Sequence, residues 1–160
     1  MKRIYLSLGS NIGDRESYLR KAAERLASND MRILRSSRIY ETEPVDLLDQ
    51  AWFLNQVLEG ETALFPMQLL RRIGRFEREL GRVRTVPKGP RTIDIDILFY
   101  GADVVDTPRL EIPHPRIAER RFVLAPLAEL APELRHPVTH KSVRQMLESA
   151  PAAAVRVALG

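Results

Sequence analysis

The sequence contains no cysteine, which excludes a disulfide framework, thiolate-held zinc, iron–sulfur clusters and a cysteine nucleophile. It also lacks any apolar run near the roughly eighteen residues of a membrane span. After Met1-Lys2-Arg3 the apolar stretch is broken by Ser7, Gly9, Ser10 and Asn11, too early for a signal peptide, so the expectation is a cytoplasmic chain with no membrane partner. Neither G-x-x-x-x-G-K-[ST] nor G-x-G-x-x-G is present, so a bound nucleotide would have to be held by side chains. No internal repeat or linker divides the chain. At 160 residues, 44% hydrophobic and 29% charged, residues 1–160 are expected to form one domain with a substantial core.

A net charge of +4 is too small to argue for a nucleic-acid partner, but its distribution is uneven. Residues 71–91 hold Arg71, Arg72, Arg75, Arg78, Arg82, Arg84, Lys88 and Arg91 against only Glu77 and Glu79, more than the whole positive excess. Of the 25 basic residues 21 are arginine, the side chain whose planar fork suits bidentate phosphate recognition.

Hydrophobic periodicity gives an alternation of types. Ile4, Leu6 and Leu8 alternate with Tyr5 and Ser7 in a strand that ends at Gly9-Ser10-Asn11-Ile12-Gly13. Asp14 is placed to cap a helix with Leu19, Ala22, Ala23 and Leu26 on one face. Met31 to Tyr40 and Phe53 to Leu58 read as two further strands. Pro66 opens a second helix with Leu69, Ile73, Phe76 and Leu80 in register, and Gly81 is positioned to end it. Thr92 to Tyr100 is a fourth strand. The order β-α-β-β-α-β predicts an α+β, ferredoxin-like two-layer sandwich with a C-terminal extension.

The segment Arg91-Thr92-Ile93-Asp94-Ile95-Asp96-Ile97-Leu98 carries the chemistry. Strand alternation sends Asp94 and Asp96 to one side, about 7 Å apart, and the isoleucines to the other. Two carboxylates at that spacing suit hard divalent cations. The neighbouring basic segment, Arg82 to Arg91, offers cationic forks to phosphate oxygens, and the two together meet the needs of nucleoside triphosphate chemistry. His114, between Pro113 and Pro115, is a further phosphate donor if its loop folds over the aspartates. Asn55 shares a strand face with Phe53, as a planar, hydrogen-bonding heterocycle would require. His136 and His140 are expected at the surface.

In their order along the chain, Gly9-Ser10-Asn11, Tyr40-Glu41-Thr42-Glu43-Pro44, Phe53-Leu54-Asn55, Gly81-Arg82-Val83-Arg84, Gly89-Pro90-Arg91-Thr92-Ile93-Asp94-Ile95-Asp96 and Pro113-His114-Pro115 with Arg120 and Phe122 resemble the 6-hydroxymethyl-7,8-dihydropterin pyrophosphokinase family. The resemblance implies a monomer that moves pyrophosphoryl from ATP to a pterin alcohol, with two Mg²⁺ ions. It makes Asp94 and Asp96 the magnesium ligands, with Arg82 and Arg91 acting beside them in catalysis. Arg82, Arg84, Arg91, Ile97, Arg109, His114 and Arg120 become the ATP contacts, and Thr42, Pro44, Val45, Phe53, Asn55 and Phe122 the pterin contacts. The chain departs from the family pattern at Pro87-Lys88, Glu111 and Pro115. A ferredoxin-like RNA-binding module is the rival reading, but the RNP pattern it needs is missing and the two aspartates would repel an RNA backbone.

Overall fold

Ile4, Leu6 and Leu8 lie on one side of the first strand and Tyr5, Ser7 and Gly9 on the other, and the two sides meet different fates. In the computed structural model, which describes residues 1–44, 49–81 and 92–159, β1 (Lys2–Ser10) is followed by α1 (Arg15–Leu26). The Asp14 side chain accepts from the Ser17 N–H at 3.1 Å, the expected cap. Next come β2 (Met31–Ser36), β3 (Ile39–Thr42), β4 (Phe53–Thr62) and α2 (Pro66–Glu79). Gly81 at φ +85° ends α2 in a left-handed conformation that a side chain would strain.

Beyond it lie β5 (Asp94–Tyr100), the short pair β6 (Val105–Asp106) and β7 (Glu111–Ile112), and a 3₁₀ turn at Ile117–Glu119. The chain continues into α3 (Arg121–Leu130), α4 (Val143–Ser149) and β8 (Val155–Leu159).

The main sheet runs in the order β5-β1-β4-β3-β8, with β2 also paired to β4, and all its pairings are antiparallel. One face packs Ile4, Leu6, Leu8, Leu58, Ile93, Ile95 and Ile97 against Leu19, Ala22 and Leu26 of α1 and Leu69, Ile73 and Phe76 of α2. On the opposite face Tyr5, Val57, Leu98 and Phe99 meet Val123, Leu124 and Leu127 of α3 and Val143 and Met146 of α4. The expected extension therefore forms a third layer, because the second sheet face is itself apolar over half its length and has to be covered.

Three differences from the periodicity come from partners distant in the chain. The strand expected over Met31 to Tyr40 is broken at Ser37, whose N–H donates to the Val57 carbonyl and whose hydroxyl accepts from the Val57 N–H, both at 2.9 Å. β4 continues to Thr62 because Glu59, a poor strand residue by type, is buried on three donors: Arg3, Tyr5 and Arg35. The Ala/Val-rich end forms β8 on the edge of β3. His136, expected at the surface, packs its ring edge-on to Phe99 at 6.1 Å and accepts from the Val138 and Thr139 N–H groups.

Candidate functional site

The layer formed by α3 and α4 covers the sheet only as far as Tyr5, Val57 and Phe99; beyond that, the same face carries small and polar residues. Strand register sets them in rows. Asp94, Gly9, Asn55 and Tyr40 lie opposite one another across β5, β1, β4 and β3, and Asp96, Ser7 and Val57 form the next row inward. Thr42 and Phe53 are a paired row at the outer end. Asn55 is buried and its amide donates to the Thr42 hydroxyl. Gly9 permits this: a Cβ there would stand 2.9 Å from Asn55 Oδ1 and 3.6 Å from Phe53 Cδ1. A flat floor is the result, acidic at β5 and amide-lined at β4.

The wall opposite comes from the segment leading into α3. The His114 N–H donates to the Leu98 carbonyl at 3.1 Å, tying the Pro113-His114-Pro115 turn to β5. Its Nδ1 accepts from the Arg116 N–H at 3.2 Å, which leaves the ring hydrogen on Nε2, 4.0 Å from Asp96 Oδ2. Burial, with the positive charges of Arg120 and Arg116, pulls the His114 pKa down to about 4 against an opposing pull from Asp94. The imidazole is therefore neutral at pH 7, a hydrogen-bond donor rather than a charge. Arg120 Nη1 lies 3.8 Å from Asp96 Oδ2, and its guanidinium stands over the Phe122 ring at 5.6 Å, so one arginine links the carboxylate to the aromatic wall.

Asp94, Asp96, Asn55, Thr42 and Phe53 are thus on one face, with His114 and Arg120 set against Asp96 and Phe122 beside Arg120. Pro44 is buried just beyond β3. Ile97 packs its side chain into the core under α1 and α2, so only its backbone is left for a ligand on the acidic side. Arg109 is exposed in the turn between β6 and β7. Val45, Arg82, Arg84 and Arg91 lie outside the described residues.

Sequence reasoning passed over three contributors. Glu77 of α2 accepts from the Ile95 N–H at 2.9 Å, tying α2 to the strand segment between the two aspartates. Gly9 is the second: its lack of a side chain is what admits Asn55. Ser7 belongs to the floor, a position visible in the alternation opposite Leu6 and Leu8.

Among the described residues no group of three or more His, Cys, Asp or Glu side chains is placed to hold a metal ion. Asp94 and Asp96 offer carboxylate oxygens from one face. That set fits Mg²⁺, which ordinarily keeps several waters and takes only one or two protein carboxylates plus substrate phosphate oxygens.

The arrangement defines a class: among the described residues, a mixed α/β fold with four α-helices on an antiparallel sheet, whose open face pairs carboxylates with arginine and histidine. The sequence profile of the family described as 7,8-dihydro-6-hydroxymethylpterin-pyrophosphokinase (HPPK) matches residues 5–132, and the chain belongs to that family. It is similar to the 2-amino-4-hydroxy-6-hydroxymethyldihydropteridine pyrophosphokinase of Bacillus subtilis, at 47% identity over 88% of this chain and 85% of that protein. The enzyme of the same name from Aquifex aeolicus is 42% identical over 91% of this chain and 90% of that one. Folic acid synthesis protein fol1 of Pneumocystis carinii is 43% identical over 91% of this chain, which spans 20% of that longer protein. Among solved structures, the Plasmodium falciparum HPPK-DHPS wild type with pteroate superposes with a TM-score of 0.74 at 17% identity. That match covers 92% of this chain and 42% of that one and speaks for the fold. No helix of the described residues is long and apolar enough to cross a membrane.

Proposed function

We propose that the polar half of the second sheet face is the active site for the reaction that names the family: transfer of the pyrophosphoryl group of ATP to the hydroxymethyl group of 6-hydroxymethyl-7,8-dihydropterin, in folate biosynthesis. The observation that carries this reading is the shared face of Asp94, Asp96, Asn55 and Thr42, with His114 and Arg120 set against Asp96. An amide-and-aromatic end suits a flat heterocycle, and an acidic end faced by cations suits a triphosphate.

In this reading Asn55 and Thr42 hydrogen-bond the pterin edge, Phe53 and Phe122 contact its ring, and Pro44 and Val45 are further pterin contacts. The hydroxyl oxygen bonds to the β-phosphorus of ATP and gives up its proton to water, while the bond from that phosphorus to the α–β bridging oxygen breaks and AMP leaves carrying that oxygen and its negative charge. Arg120 and the Nε2–H of His114 meet phosphate oxygens, and Arg82, Arg84 and Arg91 supply further guanidinium forks from the basic segment. Ile97 offers its backbone near the adenine and Arg109 a cation at the outer turn. Asp94 and Asp96 would hold Mg²⁺, two ions in the fullest form, which when bound neutralises phosphate charge. The strand order is the ferredoxin-like one, residues 1–160 act as one pyrophosphokinase domain, and the chain works as a cytoplasmic monomer.

The test is AMP release from ATP with the pterin alcohol and Mg²⁺. AMP formed only when all three are present supports the reading. Release of ADP, or AMP formation without the pterin, overturns it.

A further inference from the structure

Residues 147–156 make contacts that the reaction scheme does not use. At one end, Arg121 reaches from the start of α3 to the end of α4, donating from Nε to the Pro151 carbonyl at 3.1 Å and from Nη2 to the Leu147 and Ala150 carbonyls at 3.2 and 2.8 Å. Arg121 sits between Arg120 and Phe122, so this three-carbonyl grip fixes the turn that presents both. At the other end, the Ala154 N–H donates to Glu43 Oε1 at 2.8 Å, and its carbonyl accepts from the Glu43 N–H at 3.2 Å. Arg156 follows, opposite Glu41, gripping its Oε1 from Nε at 3.1 Å and from Nη2 at 2.5 Å. Its guanidinium also stands over the Trp52 ring at 5.1 Å. Thr42 is thereby held from both sides, by Phe53 on β4 and Val155 on β8. Arg15 of α1 completes the rim by donating to Glu41 Oε2 and to the Trp52 carbonyl.

We propose that residues 147–156 act as a strap joining the two walls of the pterin groove, so that Arg121 and Arg156 are positioning residues for pterin binding. The proposal rests on the reading that the groove takes a pterin. One wall is the start of α3 with Phe122; the other is the rim formed by Thr42, Glu43, Trp52 and Phe53. Across the floor the sheet is tied to the far end of α3, where Glu129 accepts from the Tyr40 hydroxyl at 2.7 Å and from the Arg38 N–H at 2.9 Å; the strap adds a tie at the other end of α3, the one that carries Phe122. The strap lies past residue 132, outside the stretch matched by the family profile. Holding both walls at their binding distance removes an ordering cost that a flat ligand would otherwise meet. A strap acts in series, so slackening it at either end slackens the whole. Its two ends therefore cannot contribute independently.

The experiment measures the affinity of oxidised 6-hydroxymethylpterin and of a non-hydrolysable ATP analogue for the wild type, Arg121→Ala, Arg156→Ala, Arg156→Lys and the Arg121→Ala/Arg156→Ala double variant. Emission of Trp52, the only tryptophan, is recorded alongside. The Arg156 side chain is 68% exposed, so its removal leaves the core intact. Arg156→Ala is expected to weaken pterin binding about fivefold to tenfold with the ATP analogue within twofold, and to shift Trp52 emission to the red. Arg156→Lys, which keeps the charge beside Glu41, recovers part of that affinity. The double variant binds pterin no worse than the weaker single variant, the non-additivity expected of one connected device. Losses that multiply in the double variant, equal losses for both ligands on Arg156→Ala, or wild-type pterin affinity in that variant overturn the strap. A wild-type protein that binds no pterin, while Arg156→Ala still shifts Trp52, overturns the pterin reading and leaves the docking of residue 156 intact.

Discussion

The two faces of the central sheet are made by the same strands and do opposite things. Under α1 and α2, positions 4, 6 and 8 of β1 and 93, 95 and 97 around β5 are all apolar and buried, and the face is closed along its length. On the other side the apolar pattern stops partway: Tyr5, Val57 and Phe99 are capped by α3 and α4, and then Ser7, Gly9, Asn55, Asp94 and Asp96 take over. A strand cannot make one face polar without leaving the other free to stay apolar, since its period is two residues. Stability therefore draws on the whole of the first face and the capped half of the second, and ligand chemistry on the open half that remains. Substitutions on the two faces should separate cleanly.

The largest effect is expected at the acidic row. Asp94→Ala should lower turnover about 10³-fold, in line with the several kcal/mol that charge stabilisation of a transferring group supplies. Single-turnover AMP formation measures it. On the closed face, Leu69→Ala removes a side chain with no exposure and should cost about 2–5 kcal/mol in denaturant titration, while the folded fraction turns over normally.

Glu59 sharpens the comparison because it is a carboxylate on the second face that serves stability instead of chemistry. Burial pushes its carboxyl up, but hydrogen bonds from Arg35, Tyr5 and Arg3 outweigh that and hold it below the ordinary glutamate range. A lowered carboxyl contributes stability above its unfolded pKa and loses it as pH falls through the lowered value. Melting curves should therefore fall more steeply below about pH 4.5 for the wild type than for Glu59→Gln, which should be about 2 kcal/mol less stable near neutrality.

Phe122→Ala should weaken pterin binding with little effect on the ATP analogue, since an aromatic contact is worth about 0.5–1.5 kcal/mol beyond burial. Calorimetry with each ligand tests it. The smallest effect is expected at Arg71 and Arg75, exposed on the outer side of α2; alanine at either should stay within about 0.5 kcal/mol in stability and leave turnover unchanged.

What was legible in the sequence follows the range of the forces involved. The element order and the facing of Asp94 and Asp96 were readable because alternation and helix periodicity are local. Asp14, Pro66 and Gly81 marked helix ends by chemistry that also acts within a turn. β8 was not readable: its strand character comes from pairing with β3, more than a hundred residues earlier. The buried Glu59 and the break at Ser37 were hidden for the same reason, since their partners Arg3, Tyr5 and Val57 are distant in the chain. Within the candidate site, the acidic row came from spacing, whereas Phe122, Arg120 and Thr42 came from the family resemblance. Gly9 shows what neither supplied, because the space above a glycine is defined only once Asn55 is packed over it.

The separation of the faces is tested most directly by measuring turnover and thermal melting on the same preparations of Asp96→Asn and Leu69→Ala. The account predicts that Asp96→Asn loses about 10³-fold in AMP formation with a melting temperature within about 2 °C of wild type, since a kilocalorie shifts a domain of this size by about 2–4 °C. Leu69→Ala should show the reverse, a melting temperature lower by about 5 °C or more with normal turnover per folded molecule. Asp96→Asn retaining wild-type turnover, or losing stability as Leu69→Ala does, would contradict it.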